Sequence, residues 1–213
     1  MRHTVEEELV MMDFNQIKSC VIVELLEVIF HEVIYLWNVY PKGSFLRTKN
    51  FDCLVMQCSH PSVMKYISDS VSSMKNSIED DKVTKVSCKI IDKGEKVIQS
   101  VVLDIGKVQK RNEDPGFINL EQDLRTLILK LTSCAKPSQY SPGDHSFRIE
   151  VETFMANFRE MVKNNKIHSK DEPQWIVCNE MDVSDAGSRL IVPVHSVSSS
   201  LCNIQLYIED YKK

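Results

Sequence analysis

The run from Phe14 to Tyr40 constrains the fold more than any other feature, because apolar side chains cover most of the circumference of the helix it predicts. Ile22, Leu26, Ile29, Val33, Leu36 and Tyr40 recur at steps of three and four, and Ile17, Val21, Leu25 and Val28 add a second apolar row. Glu24, Glu27 and His31 make a narrow polar stripe between the rows. A helix this apolar has to be covered on several sides, so it belongs at the centre of a domain. Pro41 and Gly43 end it. The interruptions at Glu24, Glu27, His31 and Glu32 make it unfit to cross a bilayer, and no other stretch is more apolar.

The remaining periodicities supply partners for that helix. Phe45 to Ser59 has the composition of a hairpin arm. Pro61 suits a first helical turn, and Val63, Ile67, Val71 and Met74 continue at helical spacing. Val83–Ile91 and Lys96–Ile105 are strand-like and flank Asp92-Lys93-Gly94-Glu95, a hairpin signal. Ile118–Cys134 reads as a third helix through Leu120, Leu124, Leu127, Ile128 and Leu131; after Pro137 and Pro142-Gly143 a strand follows from Ser146 to Phe154. Three helices packed on one face of a mainly antiparallel sheet, an α+β architecture, accommodate this order.

The last third behaves differently. From Asn164 to Ser200 no long periodic segment is visible, and alternation returns only at Leu201–Ile208 through Ile204, Leu206 and Ile208. A structureless stretch this long is uncommon in a compact domain and is usually functional or disordered. Trp175, inside the apolar island Trp175-Ile176-Val177, argues for covering something apolar. On the last strand Gln205 and Tyr207 alternate with the apolar set and are expected on the exposed face.

Composition narrows the function classes. The 26 basic and 30 acidic residues give a net charge of −4, with no basic footprint for nucleic acid or an anionic membrane. Seven cysteines without a C-x-x-C pair, and no N-x-S/T acceptor, fit a reducing compartment, and the glutamates at 6–8 are unlike a secretory leader. The expected location is nuclear or cytoplasmic. No Gly-rich phosphate loop, H-E-x-x-H or other cofactor motif occurs.

Several local patterns, taken in order, resemble the HORMA-domain family: Val39-Tyr40-Pro41 with Phe45 beyond it, His60-Pro61 followed by Tyr66-Ile67, Leu127-Ile128-Leu129-Lys130, Pro173-x-Trp175-Ile176, Arg189-Leu190-Ile191 and Gln205-Leu206-Tyr207. The likeness runs from about Phe14 to Glu209 and is strongest to the mitotic-arrest-deficient-like branch that serves translesion DNA polymerase zeta. It implies residues 14–163 as a core and 164–213 as a "safety belt" with a C-terminal strand, preceded by an extension over 1–13. In that family the belt closes over a partner segment that adds as a strand to the sheet. The resemblance further implies a non-catalytic adaptor in DNA damage tolerance, without a cofactor. Its peptide-bearing partner would be the catalytic subunit of polymerase zeta, gripped through spaced prolines by Tyr66, Trp175 and Val177. A second surface around Leu190, Gln205 and Tyr207 would take the C-terminal domain of the inserter, a deoxycytidyl-transferase polymerase. Arg125 matches the position used for HORMA homodimers, and an AAA+ ATPase would reopen the belt. The chain departs from the family pattern in the charged loop 106–116, before Asn15, and in an insertion near Ile191-Val192.

Other readings of the same residues stay open. Trp175 and Tyr66 could be core residues. Arg125 could pair with Glu121, four residues earlier on its helix. A spindle-checkpoint HORMA protein would share the fold. Cys58 with His60 could make a thiol-dependent hydrolase, although no orienting third group is visible, and Cys53, Cys58 and His60 lack the spacing of a structural zinc site.

Overall fold

A computed structural model of the chain describes residues 13–108, 117–134, 141–153, 175 and 189–211. Helix α1 spans Phe14–Leu36, its first turn closed by the Asp13 N–H donating to Gln16 Oε1 at 3.2 Å. It ends before Tyr40, earlier than its apolar pattern predicts. Asn38 adopts φ 57°, and the Asn38 and Val39 amides turn back onto the Tyr35 and Ile34 carbonyls. This pairing of orphan carbonyls is the Schellman closure, with asparagine in the left-handed position usually given to glycine. Asp81, with φ 55°, ends helix α2 (Pro61–Glu79) in the same way, through the Asp81 and Lys82 amides onto Ile78 and Ser77.

The segment read as one hairpin arm is a whole hairpin: β1 (Phe45–Asn50) pairs antiparallel with β2 (Cys53–Cys58). Phe51 and Asp52 both have positive φ, 48° and 51°, which makes the two-residue turn whose twist suits a hairpin. This hairpin is a separate two-stranded sheet lying against α1. The outward amides of β2 are satisfied by side chains of that helix: Met56 N–H donates to Glu32 Oε1 at 2.5 Å and Cys58 N–H to His31 Nδ1 at 3.3 Å. Two buried polar residues of α1 thus do for β2 what a neighbouring strand would do.

The main sheet holds β3 (Val83–Asp92), β4 (Val97–Gly106), β5 (His145–Thr153), β6 (Arg189–Ser198) and β7 (Asn203–Tyr211) in the order β5-β3-β4-β7-β6, every pair antiparallel. Helix α3 (Phe117–Cys134) lies against β6, α2 against β3, and α1 against α2, α3 and β2. The core is one continuous cluster around Leu25, Leu26, Ile29, Phe30 and Val33 of α1, Ile67 and Met74 of α2, Leu124 and Leu127 of α3, and the inward rows of the sheet. Full burial of such side chains contributes roughly 1.5–3 kcal/mol each. The expected architecture is therefore observed, with a central α1. One expectation is corrected: the tail is not irregular as far as Ser200, because Arg189–Ser198 forms the edge strand β6. Pro193 and a bulge between Pro193 and His195 hid its alternation, and an edge strand tolerates both.

Candidate functional site

Strand β5 has β3 on one side, and no strand among the described residues pairs with its other edge. The Ile149 N–H does not point into the sheet; it donates to the Tyr66 hydroxyl of α2 at 3.4 Å. By the alternation of an antiparallel ladder, the amides of Phe147 and Val151 face the same open edge. The Tyr66 bond is long for its kind and easily exchanged for a better acceptor, such as the carbonyl of an added strand. Edges of this sort are templates for pairing.

Aromatic rings gather beside this edge. Tyr66, 41% exposed, meets Phe147 edge-to-face at 5.6 Å, and Phe147 meets Tyr40 at 6.3 Å. Burial pushes the Tyr66 phenol above its ordinary pKa, so it stays a neutral donor and acceptor. Trp175 half-buries its ring against the core, and its indole N–H donates to Ser73 Oγ at 3.0 Å. Tyr66 and Ser73 are seven residues apart on α2, which puts them on one helix face about 10.5 Å apart. The structure therefore brings Tyr66 and Trp175 to one side of one helix. Val177 lies outside the described residues, as does the rest of 154–188 apart from Trp175. Sequence reasoning missed Phe147 and Tyr40, since nothing local ties residues 40, 66 and 147 together.

Among the described strands, β5 and β6 form the two opposite edges of the sheet. At the far edge Gln205 is exposed and Tyr207 half-buried, both on the outer face of β7. Their partners on β6 are Ser196 and Pro193, and Ile191 opposes Glu209 on the same face. Leu190 opposes Asp210 and therefore lies on the other face, apart from Gln205 and Tyr207. Ile191, 51% exposed, is the aliphatic residue that joins them. The Glu209 carboxylate, buried beneath, is held by Arg189 at 3.3 Å and by the Tyr211 hydroxyl at 2.7 Å.

Arg125 does not bond Glu121. It reaches Asp52 in the β1–β2 turn at 3.1 Å, an exposed pair of small energetic weight that leaves the guanidinium accessible. Cys58 is fully buried, and His60 is not beside it on the strand but caps the start of α2. The Cys58 thiol is therefore not exposed at the surface. Among the described residues no His, Cys, Asp and Glu group could hold a metal ion, and no helix is long and apolar enough to cross a membrane.

No family model matches the chain. It is 33% identical over 201 residues to the mitotic spindle assembly checkpoint protein MAD2B of Rattus norvegicus, and equally to that of Homo sapiens, with 93% of each chain covered. It is 28% identical over 210 residues to the DNA polymerase zeta processivity subunit of Schizosaccharomyces pombe, covering 92% of this chain and 94% of that one. Among solved structures, a chain of the mitotic checkpoint complex superposes with a TM-score of 0.70 at 14% identity, covering 92% of this chain and 99% of that one. C. elegans HTP-2 bound to the HIM-3 closure motif gives 0.64 at 11% identity, covering 92% and 90%.

Proposed function

The chain belongs to the MAD2B family of HORMA-domain proteins, and from that premise we propose that it is a non-catalytic accessory subunit of polymerase zeta that captures an extended partner peptide. The observation that carries this reading is the edge of β5 that no described strand pairs with, bordered along one face of α2 by Tyr66 and by Trp175 on Ser73. A proline-containing segment of the polymerase's catalytic subunit adds there as a strand, with Ile149 N–H passing from Tyr66 to the guest. Main-chain bonds supply affinity and the ring cluster Tyr40–Phe147–Tyr66 supplies a surface for the guest's prolines. The segment from residue 164 onward folds across the guest, with Trp175 and Val177 above it, so release waits on local opening. The outer face of β7 takes the C-terminal domain of the inserter polymerase, Arg125 serves self-association, and an AAA+ ATPase resets the clasp. The site of action is the nucleus.

The name of the S. pombe relative supports the polymerase reading, and the HTP-2 structure supports capture of a peptide motif by this fold. A second reading, a spindle-checkpoint role, is favoured by the name of the MAD2B relatives. Affinity purification separates the two: polymerase subunits are expected, and checkpoint proteins recovered without them overturn the first reading. The site itself is tested by titrating a fluorescent proline-containing peptide of the catalytic subunit. Trp175→Ala is expected to weaken binding by about 2 kcal/mol, the scale of an aromatic anchor, while the domain stays folded. Unchanged affinity would remove Trp175 from the site.

A further inference from the structure

The polar stripe of α1 has a use that peptide capture at β5 leaves untouched. Glu24, Glu27 and His31 face the β1–β2 hairpin across a half-open cavity of about 290 Å³, whose other walls include Thr48, Asn50 and Gln57. That volume is just below the range of sites for drug-sized ligands, about 300–1,000 Å³, and suits a single side chain. Two carboxylates three residues apart on a helix are neighbours, and among the described residues neither has an ion pair. Lys49 of the hairpin is committed to Asp52 at 2.6 Å, and strand alternation puts it on the face opposite Thr48 and Asn50. Burial and the Glu24 charge hold the Glu27 carboxyl above the usual range, the mark of an acid lacking a cation.

Two polar atoms of the lining have no partner. His31 is only 3% exposed; its Nδ1 accepts the Cys58 amide, which puts the proton of the neutral ring on Nε2, and Nε2 is unpaired. Thr48 Oγ1 is buried and unpaired as well. A trapped water would satisfy these two atoms, yet it would leave both carboxylates uncompensated. A lysine or arginine within a polypeptide meets three of these four groups: its cation for Glu24 and Glu27, and a main-chain carbonyl for the His31 Nε2–H. We infer that the cleft between α1 and the β1–β2 hairpin is a recognition site for a basic side chain of a partner protein.

The test is a titration of the full chain, labelled with ¹⁵N, using the acetylated N-methylamides of lysine, arginine and norleucine as probes. Saturable shifts of the Met56 and Gln57 amides and the His31 ring are expected with the two cations, in the millimolar range for so small a ligand. Norleucine should give none, and Glu27→Gln should weaken cation binding about tenfold. If Glu27→Gln lowers the melting temperature, Glu24→Gln carries the same comparison at an exposed position. Three results would overturn the inference: no saturable shift with the cations, equal shifts with norleucine, or a long-lived water at the His31 ring that the cations do not displace. Loss of peptide capture at β5 would leave each of these results unchanged, so the two sites fail separately.

Discussion

His31 shows how much a single side chain is asked to do in this fold. Its Nδ1 caps the Cys58 amide from inside the core, and burial pushes its pKa down from 6.5 to about 4. The unfolded chain therefore takes up a proton near pH 6.5 that the native chain refuses until about pH 4. Stability from this residue is complete above the unfolded value and is lost as pH falls through that window. Glu27 and Glu32 carry the opposite sign, since burial raises both above 4.5. Their contribution is complete below the unfolded value and disappears as pH rises through the folded one. The two effects are separable by mutation. Urea unfolding at pH 7.5 and 5.5 should show the wild-type chain losing about 1.4 kcal/mol more than His31→Asn, one pKa unit being worth about that much. Asparagine keeps an acceptor for the Cys58 amide without a titrating proton. Parallel pH profiles for the two chains would mean that burial does not lower the His31 pKa in the native state.

At the scale of elements, what could be read in the sequence depended on whether a pattern is local. All three helices and the β3–β4 hairpin were legible, because periodicity and a turn signal are contained within each segment. The β1–β2 turn was not, since Phe51-Asp52 lacks the glycine or asparagine that normally marks two positive φ values. The early end of α1 was also hidden, because the apolar pattern continues to Tyr40 while Asn38 turns the backbone. Of the candidate site, Trp175 and Tyr66 could be singled out, but the Tyr66–Phe147–Tyr40 cluster is tertiary and leaves no trace in spacing. The bulge in β6 is the most consequential omission. One extra residue before His195 inverts the facing of everything upstream, so Ile191 and not Leu190 joins Gln205 and Tyr207 on the outer face. Binding of the inserter polymerase's C-terminal domain should accordingly fall by about tenfold in Ile191→Ala and Tyr207→Ala, while Leu190→Ala stays within about threefold of wild type. Calorimetry measures all three; a Leu190→Ala loss equal to that of Ile191→Ala would mean that the contact wraps around the strand edge.

The molecule as a whole sets its two proposed docking surfaces apart, one along β5 and the other on the outer face of β7 and β6. β5 and the outer strand β6 stand at opposite ends of the order β5-β3-β4-β7-β6, four inter-strand steps of about 4.8 Å, or roughly 19 Å. Gln205 and Tyr207 also point away from the helices, whereas the Tyr66–Trp175 side of α2 lies on the helical face. On the adaptor reading proposed above, two partners on such a body would not collide and would be held near one another, and the net charge of −4 offers no basic footprint for DNA. On the outer face the basic residues Lys85 and Lys89 are each paired with a glutamate of β5, Glu152 and Glu150. The expectation is a ternary complex: saturating the chain with the polymerase peptide should leave its affinity for the inserter's C-terminal domain at least as high as before, and both ligands should co-elute with it on gel filtration. Mutual exclusion would break the adaptor reading at its base, since a chain that must release one polymerase to hold the other cannot bridge them.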